Sequence, residues 1–380
     1  MKTTTPKRIL VIRLDGLGDL WLTIPMLRTL RQHFPDARIE VITGRNQLQL
    51  AQSIRWIDRA YSAHEKRRSL LLNLPLLLKL FFRRGFDAVL LPRACPDRTC
   101  ARILAWAAAS RGAVIVAYRS SRHGPDSNIP NLWLDARPEH TVLSALRLAE
   151  ALGIPMPKQE ELTISEADIR TPQVLPSLPC PADTPLALCA MRSLKPVSNW
   201  PAERYAQVAE ALFRETGIVS VLTGTAQDAP DARRVLETLK QNGVPDAAFS
   251  LCGQTRSVQL LFLSKRCRLY YGVDTATVHF AAAAGIPCVS ITPFPLNAGE
   301  WLSASVRYYP WQTHYTLIAP EHAMPPCTEY CTACEPHCIL QITAEEVIQA
   351  VLKTAKEALR TESATPSGEI GINPVQGNCS

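Results

Sequence analysis

The stretch Arg8-Ile-Leu-Val-Ile-Arg-Leu-Asp-Gly-Leu-Gly-Asp-Leu-Trp-Leu-Thr-Ile-Pro-Met-Leu27 narrows the folds open to this chain more than any other. Ile9 to Ile12 is a short, unbroken apolar run, the pattern of a strand buried on both faces of a parallel sheet. Asp15-Gly-Leu-Gly-Asp19 follows at once, and then Leu20, Ile24, Leu27 and Phe34 recur at helical spacing. Strand, glycine turn and helix make the opening unit of a doubly wound α/β domain. Such turns lie at the carboxyl ends of the strands, where these sheets bind ligands. Gly16 and Gly18 permit tight backbone angles and leave room for a ligand to approach. Asp19 falls at the start of the helix, aimed at the crevice. The glycines do not complete the dinucleotide fingerprint, so on its own the unit reads equally as a capped structural turn.

The first half of the chain keeps this alternation. Arg38 to Thr43, Asp87 to Leu91 and Ala113 to Tyr118 read as further strands, and Thr141 to Leu152 as an amphipathic helix ended by Gly153. Cys95-Pro-Asp-Arg98 and Arg119-Ser-Ser-Arg-His123 follow predicted strands, so Arg119 and Arg122 are candidates for holding a polar or phosphorylated acceptor. The plainer reading of such loops is solvated charge. Glu65 to Gly85 stands apart: Lys66-Arg67-Arg68, an almost wholly apolar run from Ser69 to Phe82, then Arg83-Arg84. It fits a helix covering the sheet, or one lying in a membrane interface with cations on the phosphates.

Pro155 to Pro185 is proline-rich and reads as an interdomain linker, with one strand near Leu162 to Ile164. A second alternating series then begins. Leu186 to Ala190, Ile218 to Thr223, Ala248 to Leu251, Leu269 to Val273 and Cys288 to Thr292 are its predicted strands, with helices such as Ala202 to Thr216 between them. Two α/β halves joined by a linker imply a ligand cleft between them. The second half has its own landmark in Tyr271-Gly-Val-Asp-Thr-Ala-Thr-Val-His-Phe-Ala-Ala-Ala-Ala-Gly-Ile-Pro287. There Asp274 and Thr275 end a strand and cap an alanine-rich helix that Gly285 terminates. The start of that helix offers backbone N–H groups and about half a unit of positive charge, a ready place for phosphate. Thr277 could add a hydroxyl, while His279, one turn in, reads equally as a buried structural histidine.

Length and composition set outer bounds. A chain of 380 residues predicts two domains. The polar start and the brevity of the first apolar run predict no export signal, and no stretch is long enough to predict a spanning helix. Twelve cysteines without an export signal point to a reducing, cytoplasmic setting and free thiols. A net charge of +7 suits anionic ligands or an anionic membrane surface, and is too small for a dedicated nucleic-acid binder.

Four motifs in order carry a resemblance: Ile12-Arg-Leu-Asp-Gly-Leu-Gly-Asp-Leu-Trp-Leu-Thr-Ile-Pro25, Asn199-Trp-Pro-Ala-Glu-Arg-Tyr205, Gly224-Thr-Ala-Gln-Asp228 and Val273-Asp-Thr-Ala-Thr-Val-His-Phe-Ala-Ala-Ala-Ala284. Together they resemble the glycosyltransferase family 9 heptosyltransferases, which build the inner core of lipopolysaccharide. The resemblance implies an α/β chain of GT-B fold, two Rossmann-like domains facing each other across a cleft. It implies inverting transfer without a metal, from an ADP-sugar such as ADP-heptose to a lipopolysaccharide or related glycan acceptor, by a cytoplasmic enzyme in peripheral contact with the inner membrane. Residues 1–155 would bind the acceptor, 156–185 link, and 186–342 bind the nucleotide sugar, with a helix at 343–360 and a disordered tail at 361–380. Asp19 matches the general base, in a glycine loop with Arg13, Gly16 and Gly18, and Arg119 and Arg122 nearby. The donor set is Arg192, Lys195, Ser198, Asp228, Asp274, Thr275, Ala276, Thr277 and His279. One departure matters: Ser198 stands where the family carries a phosphate-binding lysine, so Arg192 and Lys195 are the cations left in that loop.

Cys327, Cys331, Cys334 and Cys338 lie within a short segment, 327–338. Four such thiols could close a structural zinc or iron site, hold a redox cluster, or remain free. Two other readings of the whole chain stay open: a non-catalytic homologue that binds sugar nucleotides or glycans, and a nucleotide-sugar epimerase of similar architecture.

Overall fold

The computed structural model describes residues 5–64, 71–82, 85–93, 104–105, 107–108, 113–119, 132–171, 174–295, 304–328 and 333–364. The chain divides into two compact units, Met1–Pro172 and Gln173–Ser380. The first is built on strands β1 (Arg8–Arg13), β2 (Arg38–Gly44), β3 (Arg59–Ala63), β4 (Ala88–Leu91), β5 (Val114–Tyr118) and β6 (Leu132–Leu134). They form one sheet in the order 3-2-1-4-5-6. The second is built on β7 (Leu186–Ala190), β8 (Val219–Thr223), β9 (Ala248–Ser250), β10 (Cys267–Val273), β11 (Cys288–Ile291) and β12 (Tyr315–Ile318), in the order 12-11-10-7-8-9. Read from its other edge, the second sheet has the same wiring as the first. Every pairing in both is parallel. The protein is therefore α/β, and each unit is a doubly wound, Rossmann-like domain, as the resemblance implies.

The interior strands explain themselves. Ile9 to Ile12 and Leu186 to Ala190 are buried along their length, because neighbouring strands and helices cover both edges and both faces. At the centre of the second sheet Gly272 has φ 148°, and a Cβ there would run into the Ala190 carbonyl of β7. Glycine lets β10 come close to its neighbour at that point. The helix Ala202–Thr216 packs its buried stripe of Tyr205, Ala206, Val208, Ala209 and Leu212 onto the sheet, and Gly217 ends it in the left-handed conformation. Val347, Val351 and Ala355 of the last helix, Ala344–Ala364, join the same core.

Some boundaries differ from the sequence reading. β3, β6 and β12 were not expected; all three are edge strands. No strand forms at Leu162 to Ile164; Gln159–Leu162 is a 3-10 turn. Residues around it are tied into the first unit, for buried Asp168 accepts hydrogen bonds from the Arg28 guanidinium and from Trp56 Nε1 at 2.6 Å. Farther on, Gln259 donates to the Val174 carbonyl, and Leu175 and Leu178 pack on the second unit. The last helix runs to Ala364, past the expected end at Arg360, and residues 365–380 lie outside the described ones. Among the described residues no helix is long and apolar enough to cross a membrane.

Candidate functional site

In a 3-2-1-4-5-6 sheet the strand order reverses between the first and fourth strands, and ligands bind outside the carboxyl ends at that point. The first unit places a chain of alternating charges there. Arg13, the last residue of β1, is 2% exposed. Its guanidinium donates to Asp19 Oδ1 at 2.7 Å and to the Pro92 carbonyl just beyond β4, and its Nε lies 3.5 Å from Asp15 Oδ2. Arg93, next to Pro92, pairs with the other oxygen of Asp15. The second oxygen of Asp19 accepts the Gly16 N–H at 3.0 Å, so both ends of its carboxylate are fixed. Gly16 keeps this arrangement open, since a Cβ there would stand 3.1 Å from Asp19 Oδ2. Gln47 donates to the Asp15 carbonyl at 2.8 Å and steadies the turn from β2's side. The Asp19 side chain remains 21% exposed, within reach of a ligand. Gly18 lies in the short helix Leu17–Trp21 with Asp19.

The second unit repeats the corner after β7, β8 and β10. Gly224 follows β8, and Asp228 folds back over it: its Oδ2 accepts the Thr225 N–H at 2.7 Å and the Thr225 hydroxyl at 2.9 Å. A Cβ on Gly224 would lie 2.6 Å from that oxygen. Arg192, after β7, bridges Asp228 at 3.5 Å and Asp231. Unlike Arg13 it is exposed, as is Lys195. Ser198 is buried at 4%, with its N–H on the Lys195 carbonyl, so its side chain supplies no charge at the surface. Asn199 holds the loop by accepting the Ser193 N–H at 2.8 Å.

After β10, Asp274 is anchored through its N–H to the Ile291 carbonyl at 2.8 Å. Thr275 occupies the capping position of the helix Ala276–Ala283 in extended conformation, but its hydroxyl makes no capping bond. The Thr275 side chain therefore caps none of the backbone donors at the helix start, where Ala276 and Thr277 lie. His279 is 5% exposed, and burial pulls its pKa down to about 4. It is a neutral imidazole in the core near pH 7, with no charge to offer phosphate.

Other expected residues fall elsewhere. Arg119 follows β5, exposed, 3.5 Å from Asp135, which is more exposed still. Arg122, Cys331 and the Cys95 to Arg98 loop lie outside the described residues. Of the remaining cysteines in the cluster, Cys327 and Cys338 are buried and come together, while Cys334 is exposed and stands apart. The partner that brings them together is His337, which the cysteine spacing did not reveal. Its Nδ1 lies 3.8 Å from Cys327 Sγ and 3.4 Å from Cys338 Sγ. Sequence reading also missed Arg93, Pro92 and Asp231. The first two follow β4 at the switch point, which only the strand order identifies.

Comparison with known proteins gives the same picture. Residues 104–294, just over half of the chain, match glycosyltransferase family 9 (heptosyltransferase). Lipopolysaccharide heptosyltransferase 3 of Escherichia coli K12 is 22% identical over 346 residues, covering 90% of this chain and 96% of that protein. Among solved structures, a glycosyl transferase family 9 protein from Veillonella parvula superposes with a TM-score of 0.72 at 20% identity, over 92% of this chain and 98% of that one. E. coli ADP-heptose LPS heptosyltransferase II gives a TM-score of 0.65 at 21% identity, over 94% and 100% of the two chains. These two share the fold.

Proposed function

The chain belongs to glycosyltransferase family 9, and from that premise we propose that it is an inverting transferase moving a heptose-type sugar from an ADP-sugar to a lipopolysaccharide core or related glycan. The observation that carries the reading is the Asp19 carboxylate, fixed by Arg13 and the Gly16 N–H at the switch point of the first sheet and still reachable. Inverting transfer needs one base to take the proton of the acceptor hydroxyl as its oxygen attacks the anomeric carbon from the face opposite the leaving diphosphate. A carboxylate has about four acceptor positions; the two bonds just described leave room for that hydroxyl. Arg13 and Gly16 fix the direction from which the proton is taken, which supplies the orientation such a step requires.

The leaving diphosphate gathers negative charge as the glycosidic bond breaks. The start of Ala276–Ala283, with its N–H groups and dipole, suits that charge, and Arg192 and Lys195 are the cations of the neighbouring loop. Asp228 would accept from donor hydroxyls. The names of the relatives above, ADP-heptose and lipopolysaccharide, support this donor and acceptor, as does the net charge of +7 for two anionic ligands.

No metal is needed for this transfer. A structural ion fits elsewhere: ligand atoms on tetrahedral zinc at ordinary Zn–S and Zn–N lengths lie roughly 3.5–3.8 Å apart. The two sulfur-to-nitrogen distances, 3.4 and 3.8 Å, match that spacing, and all three ligand atoms lie within 4.8 Å of one another. Cys327, His337 and Cys338 would hold zinc or iron, with Cys331 as the fourth ligand in sequence reach. Cys338 opens the turn Cys338–Gln341, and the following Ile342 carbonyl accepts from Trp200 Nε1 at 3.0 Å. A metal there would brace the segment that meets the Trp200-Pro201 motif.

The test is product analysis with ADP-heptose and a heptose-deficient lipopolysaccharide acceptor. A new glycosidic bond, lost in Asp19→Ala, is expected. An isomerised sugar nucleotide would move the chain to the epimerases. Transfer retained by Asp19→Ala would remove the proposed base.

A further inference from the structure

Two arginines among the described residues are buried, Arg13 at 2% exposed and Arg307 at 5%. Their surroundings differ. Arg13 is held by Asp19, Asp15 and the Pro92 carbonyl. Arg307 ends the short helix Ala304–Arg307, in the connection from β11 to β12. Its Nη1 is closed to solvent and has no hydrogen-bond partner. No carboxylate of the described residues pairs with it. Its guanidinium carbon lies 6.0 Å from the centre of the Tyr308 ring, at the outer limit of a cation–π contact.

A guanidinium cannot shed its charge on burial as a lysine or histidine can, because it stays protonated. Burying one is costly unless an anion and further hydrogen bonds compensate it. The fold enforces the burial all the same. Pro310 and Trp311, just after Arg307, are buried, and Tyr309 stacks on Tyr315 of β12 with ring centres 5.4 Å apart. The Thr313 hydroxyl donates to the Ile286 carbonyl at 3.0 Å, and the Cys288 N–H to the His314 carbonyl at 2.9 Å. The chain that follows Arg307 is thus fastened to the sheet, and the side chain is buried as part of that packing.

Chemistry selects the ligand. A guanidinium presents a planar fork of N–H donors whose complement is a carboxylate or phosphate oxyanion. The second unit favours phosphate. Its buried Ser198 supplies no charge, and Arg192 is already shared between Asp228 and Asp231. The connection that carries Arg307 leaves the sheet at the carboxyl end of β11, where the Ile291 carbonyl accepts the Asp274 N–H from the turn before the helix Ala276–Ala283. Sheets of this kind bind ligands outside their carboxyl ends. We propose that Arg307 is a phosphate-binding residue, its buried fork closing on two oxygens of a phosphate-class anion. That anion is the diphosphate of the donor or a separate phosphate, and the experiment below tells them apart. The choice of phosphate over carboxylate rests on the donor reading above; the need for an oxyanion rests on Arg307 alone.

The experiment titrates inorganic phosphate, pyrophosphate and ADP separately into the full chain by calorimetry, for the wild type, Arg307→Met and Arg307→Lys, with melting curves in phosphate-free buffer. The wild type should bind pyrophosphate, and Arg307→Met should bind it roughly tenfold or more weakly. Arg307→Lys keeps the charge without the fork and should fall between them. In phosphate-free buffer Arg307→Met should melt at or above the wild-type temperature, because it removes an uncompensated buried charge and keeps an apolar side chain of similar length. Pyrophosphate should raise the melting temperature of the wild type and leave that of Arg307→Met unchanged. ADP affinity that falls together with pyrophosphate affinity would place the donor diphosphate on Arg307. Pyrophosphate binding lost in Arg307→Met while ADP affinity stays at the wild-type value would place a separate phosphate there. A wild type that binds pyrophosphate through Arg307 and no ADP at all would sink the donor reading and leave this inference standing. Absence of phosphate and pyrophosphate binding by the folded wild type would overturn the proposal, as would binding that Arg307→Met retains. Melting of Arg307→Met well below the wild type in phosphate-free buffer would also overturn it, by showing that the chain supplies the counter-charge itself.

Discussion

The two units solve one problem twice and finish it differently. In each, a glycine after a parallel strand makes room for an aspartate that folds back onto the turn, and an arginine from the sheet's centre meets that aspartate. In the first unit the arginine is Arg13, 2% exposed and held by Pro92 and Asp15 as well as Asp19. In the second it is Arg192, 38% exposed at its side chain and shared between Asp228 and Asp231. A buried guanidinium cannot follow a ligand, so the first corner is built to hold one carboxylate still. An exposed one can leave its aspartates for a diphosphate at small cost, because surface ion pairs are worth ~0–1 kcal/mol. On the proposed function, that difference would give the first corner fixed geometry and the second adaptable binding.

The sharpest way to break this contrast is Arg13→Met. It leaves Asp19 with the Gly16 N–H and Asp15 with Arg93, and removes the buried cation between them, which should cost about 3 kcal/mol in denaturant unfolding. Because Asp19 then loses its orientation, kcat should fall roughly a hundredfold while donor KM changes little. A drop in stability with unchanged kcat would reduce Arg13 to a structural role.

The second corner should show its weakness toward acid instead. The pKa of His279 lies near 4 in the folded chain, below the unfolded value of about 6.5, so the unfolded state binds the extra proton between them. Stability is whole above about pH 6.5 and declines as pH falls toward 4, by on the order of 3 kcal/mol. In His279→Gln that slope should flatten, which melting curves across the same pH range would read.

Arg192→Ala should have a smaller and purely functional effect. ADP affinity should weaken about tenfold, or ~1.4 kcal/mol, with melting unchanged to within ~0.5 kcal/mol. The two glycines give the smallest contrast. Gly224→Ala brings a Cβ to 2.6 Å from Asp228 Oδ2 and 2.9 Å from its Cβ, so it should cost ~1 kcal/mol. Gly16→Ala meets Asp19 Oδ2 at 3.1 Å and should cost less in stability, showing instead as lowered kcat.

Much of this arrangement is legible in the sequence, and what is not has a physical reason. Strands such as Leu186 to Ala190 announce themselves because both faces and both edges are covered, so every position is apolar. β3, β6 and β12 have a neighbour on one edge only, and Arg59-Ala-Tyr-Ser-Ala63 carries no continuous apolar run to mark it. Asp19 stands out because it ends a glycine turn after a buried strand. Arg93 does not, because nothing near it in sequence says that β4 will lie beside β1. His337 was hidden in the same way: cysteine spacing advertised four thiols, while the fold brings an imidazole to two of them and leaves Cys334 in solvent. The apolar segment ending at Phe82 fitted a core helix or an interfacial one; in the structure Leu80 is buried, with Leu76 and Leu77 packed beside it, while Leu74, Leu78 and Phe82 are exposed.

The division of labour between the two corners is tested most directly by titrating ADP calorimetrically into the wild type, Asp19→Ala and Arg192→Ala under one buffer. The account predicts that Asp19→Ala binds ADP as the wild type does, while Arg192→Ala binds about tenfold more weakly. ADP binding lost in Asp19→Ala and kept in Arg192→Ala would contradict it, placing the nucleotide at the first corner.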